Sequence, residues 1–232
     1  TAAGSAVTID NTAPTLTFVG ILSSSSTNTA YAKVGDDVTL TITSDEDLVA
    51  APTVFLAGIG VTPDRESATS YEAELTMLSG YIQTDEPMSI SIVFSDVVGN
   101  SGTEVIATNN NSSVIFDKTV PALGEVIIST NNDNAAYAKE GSIITLGFTA
   151  LNTENLIADP TVTILSRAAD VSGSGASWTA TYTAATGDAE DTVPFTIEFS
   201  DYAGNEVKDD DAVSATTDGS DVIFDETIPT LD

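Results

Sequence analysis

The sequence predicts an all-β chain made of two tandem copies of one sandwich-like unit. Three observations predict it. The chain repeats itself at an offset of 105 to 108 residues, apolar residues alternate with polar ones at period two, and Gly, Pro, Asn and Asp punctuate the runs at short intervals. Sliding the chain on itself lays "AYAKVGD" (Ala30 to Asp36) on "AYAKEGS" (Ala136 to Ser142), and "ISIVFSDVVGN" on "FTIEFSDYAGN". The small drift in offset places insertions and deletions in loops.

Residues 1–13 read as the closing strand of a preceding repeat plus a linker, because "TAAGSAVTID" aligns with "TNNNSSVIFD" and "TTDGSDVIFD". Two readings of residues 1–10 stay open: a remnant of a cut through a longer array, or a strand donated to the open sheet edge of a neighbouring molecule. Residues 14–120 form the first repeat. Val38, Leu40 and Ile42 alternate with Thr; Tyr71, Ala73, Leu75 and Met77 alternate with polar residues; Ile90, Ile92 and Phe94 follow the same rule. Residues 121–232 form the second repeat, with Trp178, Ala180, Tyr182 and Ala184, then Phe195, Ile197 and Phe199, in equivalent places. Thr on one side and aliphatics on the other is the pattern of a half-buried strand. About seven strands per repeat, in units of this length, predict an immunoglobulin-like sandwich with almost no helix.

Composition restricts function. The 232 residues hold 35 acids against 6 Lys plus Arg, no His and no Cys, for a net charge of −29. Such a surface repels phosphate backbones and anionic lipid, which argues against nucleic-acid partners. It suits divalent cations or a saline habitat, and composition does not separate the two. The absence of Cys and His removes disulfides, thiolate nucleophiles, imidazole bases and the usual zinc ligands. No apolar run reaches the roughly 18 residues of a membrane helix, so membrane insertion is not expected. Without a signal peptide, the chain reads as an internal piece of a longer protein. Paired carboxylates occur only in repeated loops, and no enzyme activity is expected.

The strand endings carry the functional signal. "VTIDNTAP", "VIFDKTVP" and "VIFDETIP" each end on Asp and continue through Thr to Pro. In an immunoglobulin-like sandwich the last strand of one repeat leads to the upper loops of the next. Asp10 then meets "SDEDL" (Ser44 to Leu48) and "SDVVGN" (Ser95 to Asn100), while Asp117 meets "ALNTENL" (Ala150 to Leu156) and "SDYAGN" (Ser200 to Asn205). Clustered carboxylate and amide oxygens suit a hard cation, and calcium takes six to eight of them. Pro14, Pro121 and Pro229 fix φ and keep the linker short and stiff. Asp-x-x-Gly is also a type I turn signature, so a purely structural turn remains the competing reading.

The "FSDxxGN" loop and the closing "VIFDxTxP" resemble the bacterial immunoglobulin-like (Big-type) tandem repeats of large surface adhesins and related extracellular proteins, over essentially the whole chain. The resemblance implies a structural extender or stalk module of a secreted or cell-surface protein, its junctions stiffened by Ca2+. Its partners would be neighbouring repeats or identical subunits, and any cell-surface, host or glycan ligand would lie elsewhere in the parent protein. Carried over, Asp10, Asp96 and Asn100 serve the first junction, and Asp117, Asp201 and Asn205 the inner one. Glu46 and Glu154, from the upper loops, are weaker candidates, and Asp225 is a half-site. The alternative is a self-assembling filament subunit joined through residues 1–10. Trp178 reads as core filling, and the Asn-x-Ser matches at Asn110 and Asn111 as polar loop.

Overall fold

The computed structural model describes residues 9–82, 86–151 and 160–231. The protein is all-β; among the described residues the one helical piece is a single 3-10 turn, Asp209–Asp211. The backbone divides into two compact units, Thr1–Lys118 and Thr119–Asp232.

Unit 1 contains β1 (Leu16–Ser23), β2 (Tyr31–Ala32), β3 (Asp37–Ser44), β4 (Thr53–Leu56), β5 (Ile59–Val61), β6 (Asp64–Arg65), β7 (Ser70–Thr76), β8 (Ile90–Val93) and β9 (Ile115–Phe116). One sheet runs β1-β3-β7-β6, a second β5-β4-β8, and β2 pairs in parallel with β9. β3 buries Val38, Leu40 and Ile42 completely and leaves its Thr side chains half-exposed, as period-two alternation requires. Their apolar side chains join Val54, Leu56, Ile90 and Ile92 of the second sheet, and Phe94 just after it, in one buried cluster. Each such side chain contributes about 1.5–3 kcal/mol on burial.

Unit 2 repeats the plan with β10 (Leu123–Thr130), β11 (Tyr137–Ala138), β12 (Ile143–Ala150), β13 (Thr161–Ile164), β14 (Arg167–Ala168), β15 (Asp170–Ser174), β16 (Ser177–Thr183), β17 (Asp191–Thr192), β18 (Phe195–Ser200), β19 (Glu206–Val207) and β20 (Ile223–Phe224). Its sheets are β10-β12-β16-β15, β14-β13-β18-β19 and β11-β20-β17. The described strands exceed about seven per repeat because two-residue pieces such as β2, β6, β9, β11 and β17 hydrogen-bond as strands. They are too short to show periodicity in sequence.

A matched aromatic fixes the hairpin in each unit. Tyr71 is fully buried with Arg65 lying 5.9 Å from its ring centroid, and its hydroxyl points at the Ala68 carbonyl, 3.4 Å away. Trp178 is buried and its Nε1 donates to the Gly175 carbonyl at 2.9 Å. Opposite it, Gly173 has φ +139°, and a Cβ there would come within 2.4 Å of the Ser177 carbonyl and 2.7 Å of Trp178 Cα. Only Gly fits.

Unit 2 also holds a buried carboxylate. Asp188 accepts from the Tyr182 hydroxyl at 2.9 Å and the Ala185 amide at 2.8 Å, and Arg167 Nε lies 3.5 Å away. Counted from the strand pairing, unit 1 has Leu75 and Tyr81 at the places of Tyr182 and Asp188. Apolar and aromatic residues in one copy thus give way to a hydrogen-bonded pair in the other, and the buried Asp188 carboxylate is not left unsatisfied.

Two tight turns differ in strain. β4 and β5 are joined through Ala57 and Gly58, and β13 and β14 through Leu165 and Ser166, all at positive φ. Positive φ is costly for residues with a Cβ. Ser166 is exposed at φ 61°, so Ser166→Gly is expected to stabilise unit 2 by about 1 kcal/mol, read from the urea midpoint.

Candidate metal centre

The loop "SDVVGN" between β8 and the Ser101 bridge is built around one side chain. Asp96 has no exposed surface, and its Oδ1 accepts from the amides of Val98 (2.9 Å), Gly99 (2.7 Å) and Asn100 (2.8 Å). Gly99 sits at φ +98°, which the turn needs and a Cβ would disfavour. Bridge pairing of Leu48 with Asp96, and the bond from Val49 N to the Ser95 carbonyl, lay the β3–β4 loop alongside.

Asn100 then reaches the linker. Its Nδ2 donates to Asp96 Oδ2 (2.6 Å), to the Thr12 carbonyl (3.0 Å) and to the Asp10 carbonyl (3.3 Å). In this arrangement the amide acts as a clamp on the chain leaving Asp10. A second latch lies three residues beyond Thr12: Thr15 donates its amide and hydroxyl to Asp45, each at 2.8 Å, and the Asp45 amide returns a bond to the Thr15 carbonyl at 3.0 Å. These Thr15 bonds hold the Asp45 carboxyl below the usual value. Asp45 and Thr15 were not singled out from the sequence; "SDEDL" gives no sign of which acid faces the linker.

The carboxylates of Asp10, Glu46 and Asp96 converge, each offering an oxygen within 4.8 Å of the others. Asp10 Oδ1 accepts the Thr12 amide at 2.9 Å, and Ser44 Oγ holds the Glu46 carbonyl at 2.6 Å. Calcium–oxygen bonds of about 2.3–2.6 Å place ligands on a sphere wide enough for that spread. The donors are all hard oxygens, and Asp96 Oδ2 keeps a lone-pair direction beyond its bond to Asn100.

The acids perturb one another. Partial burial, then the charges of Asp10, Asp96, Asp45 and Asp47, push the Glu46 carboxyl above 4.5. Burial also pushes Asp96 upward, but the Asn100 side chain and the amides of Asn100, Val98 and Gly99 together bring it below 3.8. The two signs oppose each other. Asp96 contributes stability above pH 3.8 that is lost as pH falls through its lowered folded value; ionised Glu46 costs stability at neutral pH, relieved as pH falls through its raised one. With chelator present, carboxyl 13C titration is expected to give a Glu46 midpoint above 4.5 and an Asp96 midpoint below 3.8.

In unit 2 the loop "SDYAGN" repeats the geometry. Asp201 is buried, accepting Asn205 N on Oδ1 at 2.9 Å and Asn205 Nδ2 on Oδ2 at 2.8 Å. Asp117 belongs to unit 1, where its amide bonds the Ala32 carbonyl at 2.9 Å at the end of β9. Glu154 lies outside the described residues. Asp225 directly follows β20 and accepts the Thr227 amide on Oδ1 at 2.9 Å, as Asp10 does with Thr12. Asp-x-Thr is therefore a recurring side-chain turn that starts the linker. Thr227 Oγ1 continues to Glu190 at 2.7 Å, whereas in unit 1 Lys118 Nζ holds the Ser79 and Tyr81 carbonyls at 3.1 and 2.9 Å.

No family model matches this sequence, and no curated protein matches it. Among solved structures, the chain is similar to one reported for host cell surface retention of a 1.5-MDa bacterial ice-binding adhesin, at 15% identity and TM-score 0.41. That match covers 89% of this chain and 62% of the other, so the chain spans less than two thirds of the structure it matches.

Proposed function

We propose that each unit is an immunoglobulin-like sandwich and that the chain is an extender or stalk module of a secreted or cell-surface protein, stiffened by calcium where a linker enters a sandwich. The convergence of Asp10, Glu46 and Asp96 carries this reading. Asp10 comes from the linker, Glu46 from the β3–β4 loop and Asp96 from the loop after β8, so one ion held by all three ties the chain entering unit 1 to its body. Calcium, when bound, supplies the positive charge that offsets their mutual repulsion. The residues themselves do the orienting: Ser44 and Asp96's three amides set the loops, while Asn100 and Asp45 hold the linker. The proposed partners are neighbouring repeats of the parent protein, and catalysis is not part of the role.

Unit 2 contributes Asp201 and Asn205 to an equivalent centre, and Asp225 offers a half-site to a following repeat. A melting experiment tests the reading. Millimolar calcium is expected to raise the melting temperature of unit 1 by about 5–10 °C over the chelated protein, as a ligand well above its dissociation constant does. Equal melting temperatures in calcium and in chelator would count against it.

A further inference from the structure

In both units the outer edge of the first long strand is closed by a strap that offers side-chain oxygens where a paired strand would offer carbonyls. On β1, Val19 N donates to Asn109 Oδ1 (2.9 Å), the Asn109 amide returns to the Val19 carbonyl (3.1 Å), and Ile21 N donates to Ser112 Oγ (2.8 Å). On β10, Val126 N donates to Thr217 Oγ1 (2.9 Å), the Thr217 amide returns to the Val126 carbonyl (2.9 Å), and Ile128 N donates to Ser220 Oγ (3.0 Å). We propose that these straps are edge guards, which keep a second copy of this chain from adding a strand to β1 or β10.

The strap is a built feature. Thr108 Oγ1 bonds the Ser112 carbonyl at 2.7 Å and Thr216 Oγ1 the Ser220 carbonyl at 2.8 Å, closing the same loop in each unit. The Ser112 and Ser220 amides bond Asn110 Oδ1 (3.0 Å) and Asp218 Oδ1 (2.9 Å), and Asn111 and Gly219 both take positive φ. "TNNNS" and "TTDGS" thus encode one turn with different side chains, and the Asn-x-Ser match at Asn111 falls on its left-handed residue. Gly20 leaves room for the strap, since a Cβ there would lie 2.7 Å from Asn110 Nδ2.

The need for a guard is greatest on β1. "LTFVGILS" carries no charge, and Phe18 and Leu22 are 38% and 51% exposed. An uncharged apolar strand with free amides on its edge is a template for strand addition. The guards also oppose strand donation at this edge, a different surface from the metal centre, so the proposal stands apart from the calcium reading.

The test uses the whole chain at 0.15 M salt, where charge repulsion is screened beyond about 8 Å. The double variant Asn109→Ala with Ser112→Ala is compared with Asn109→Thr with Ser112→Thr, which keeps an oxygen at both places without altering charge. Amide exchange and sedimentation velocity are read on each. The alanine pair is expected to exchange Val19 and Ile21 amides about tenfold faster, the worth of a typical hydrogen bond, and to associate as concentration rises. The threonine pair is expected to stay protected and monomeric. Ser112→Ala alone, which leaves the Val19 pair in place, keeps the test readable if the double variant unfolds: it should speed exchange at Ile21 and not at Val19, and should associate more weakly. Alanine variants that stay monomeric, association without faster exchange at these amides, or equal association of the threonine pair would each overturn the proposal.

Discussion

Asp201→Ala is expected to cost unit 2 about 3 kcal/mol, because it removes the carboxylate that accepts from both Asn205 N and Asn205 Nδ2 in a buried loop. Trp178, the single tryptophan of the chain, lies in unit 2 and reports its unfolding by fluorescence. Asp201→Asn keeps an oxygen for one of the two donors, and its loss should be smaller. Asp96→Ala removes the acceptor of three backbone amides and one side-chain amide. Calorimetry should show unit 1 melting at a clearly lower temperature, with or without calcium. If both alanine variants melt like the parent, these aspartates are not organising their loops.

Trp178→Ala is expected to be of similar size, about 4 kcal/mol, as large-to-small changes at buried aromatics are. The ring is buried against Gly173, and its indole N–H satisfies the Gly175 carbonyl. Collapse around the gap is hindered because β15 and β16 are paired on both sides of it. Trp178→Phe refills much of the volume but leaves the Gly175 carbonyl without its donor, so about 1–2 kcal/mol should remain lost. The change is measured by calorimetry, since the alanine variant has no tryptophan. A loss under about 1 kcal/mol for Trp178→Ala would contradict the packing described for this hairpin.

The strands were legible because alternation has a direct physical cause. Val38, Leu40 and Ile42 face a core, and the intervening Thr residues face out. Repetition then exposed the loops that matter, since "SDVVGN" and "SDYAGN" keep Asp, Gly and Asn while the two residues after Asp change. What stayed hidden depends on contacts between distant residues. Leu165 and Ser166 make a tight turn without Gly or Asn, held in part by burial of Leu165. The Thr15–Asp45 latch spans thirty positions and leaves no local pattern. Asn100 is expected among the metal-site residues, and its Nδ2 also ties Asp96 to the linker carbonyls, a task that residue type alone does not reveal. The edge guards look like ordinary polar loop until β1 and β10 are placed beside them.

The three carboxylates at the entrance of unit 1 are proposed to hold one calcium ion. Isothermal titration of the whole chain with calcium, beside the variant Glu46→Gln, tests this most directly, because Glu46 anchors no hydrogen bond to the linker through its carboxylate among the described residues. The expected result is a saturable uptake in the parent that falls by one calcium per chain in the variant, with the fold intact by circular dichroism. The same calcium stoichiometry and affinity in both proteins would contradict it.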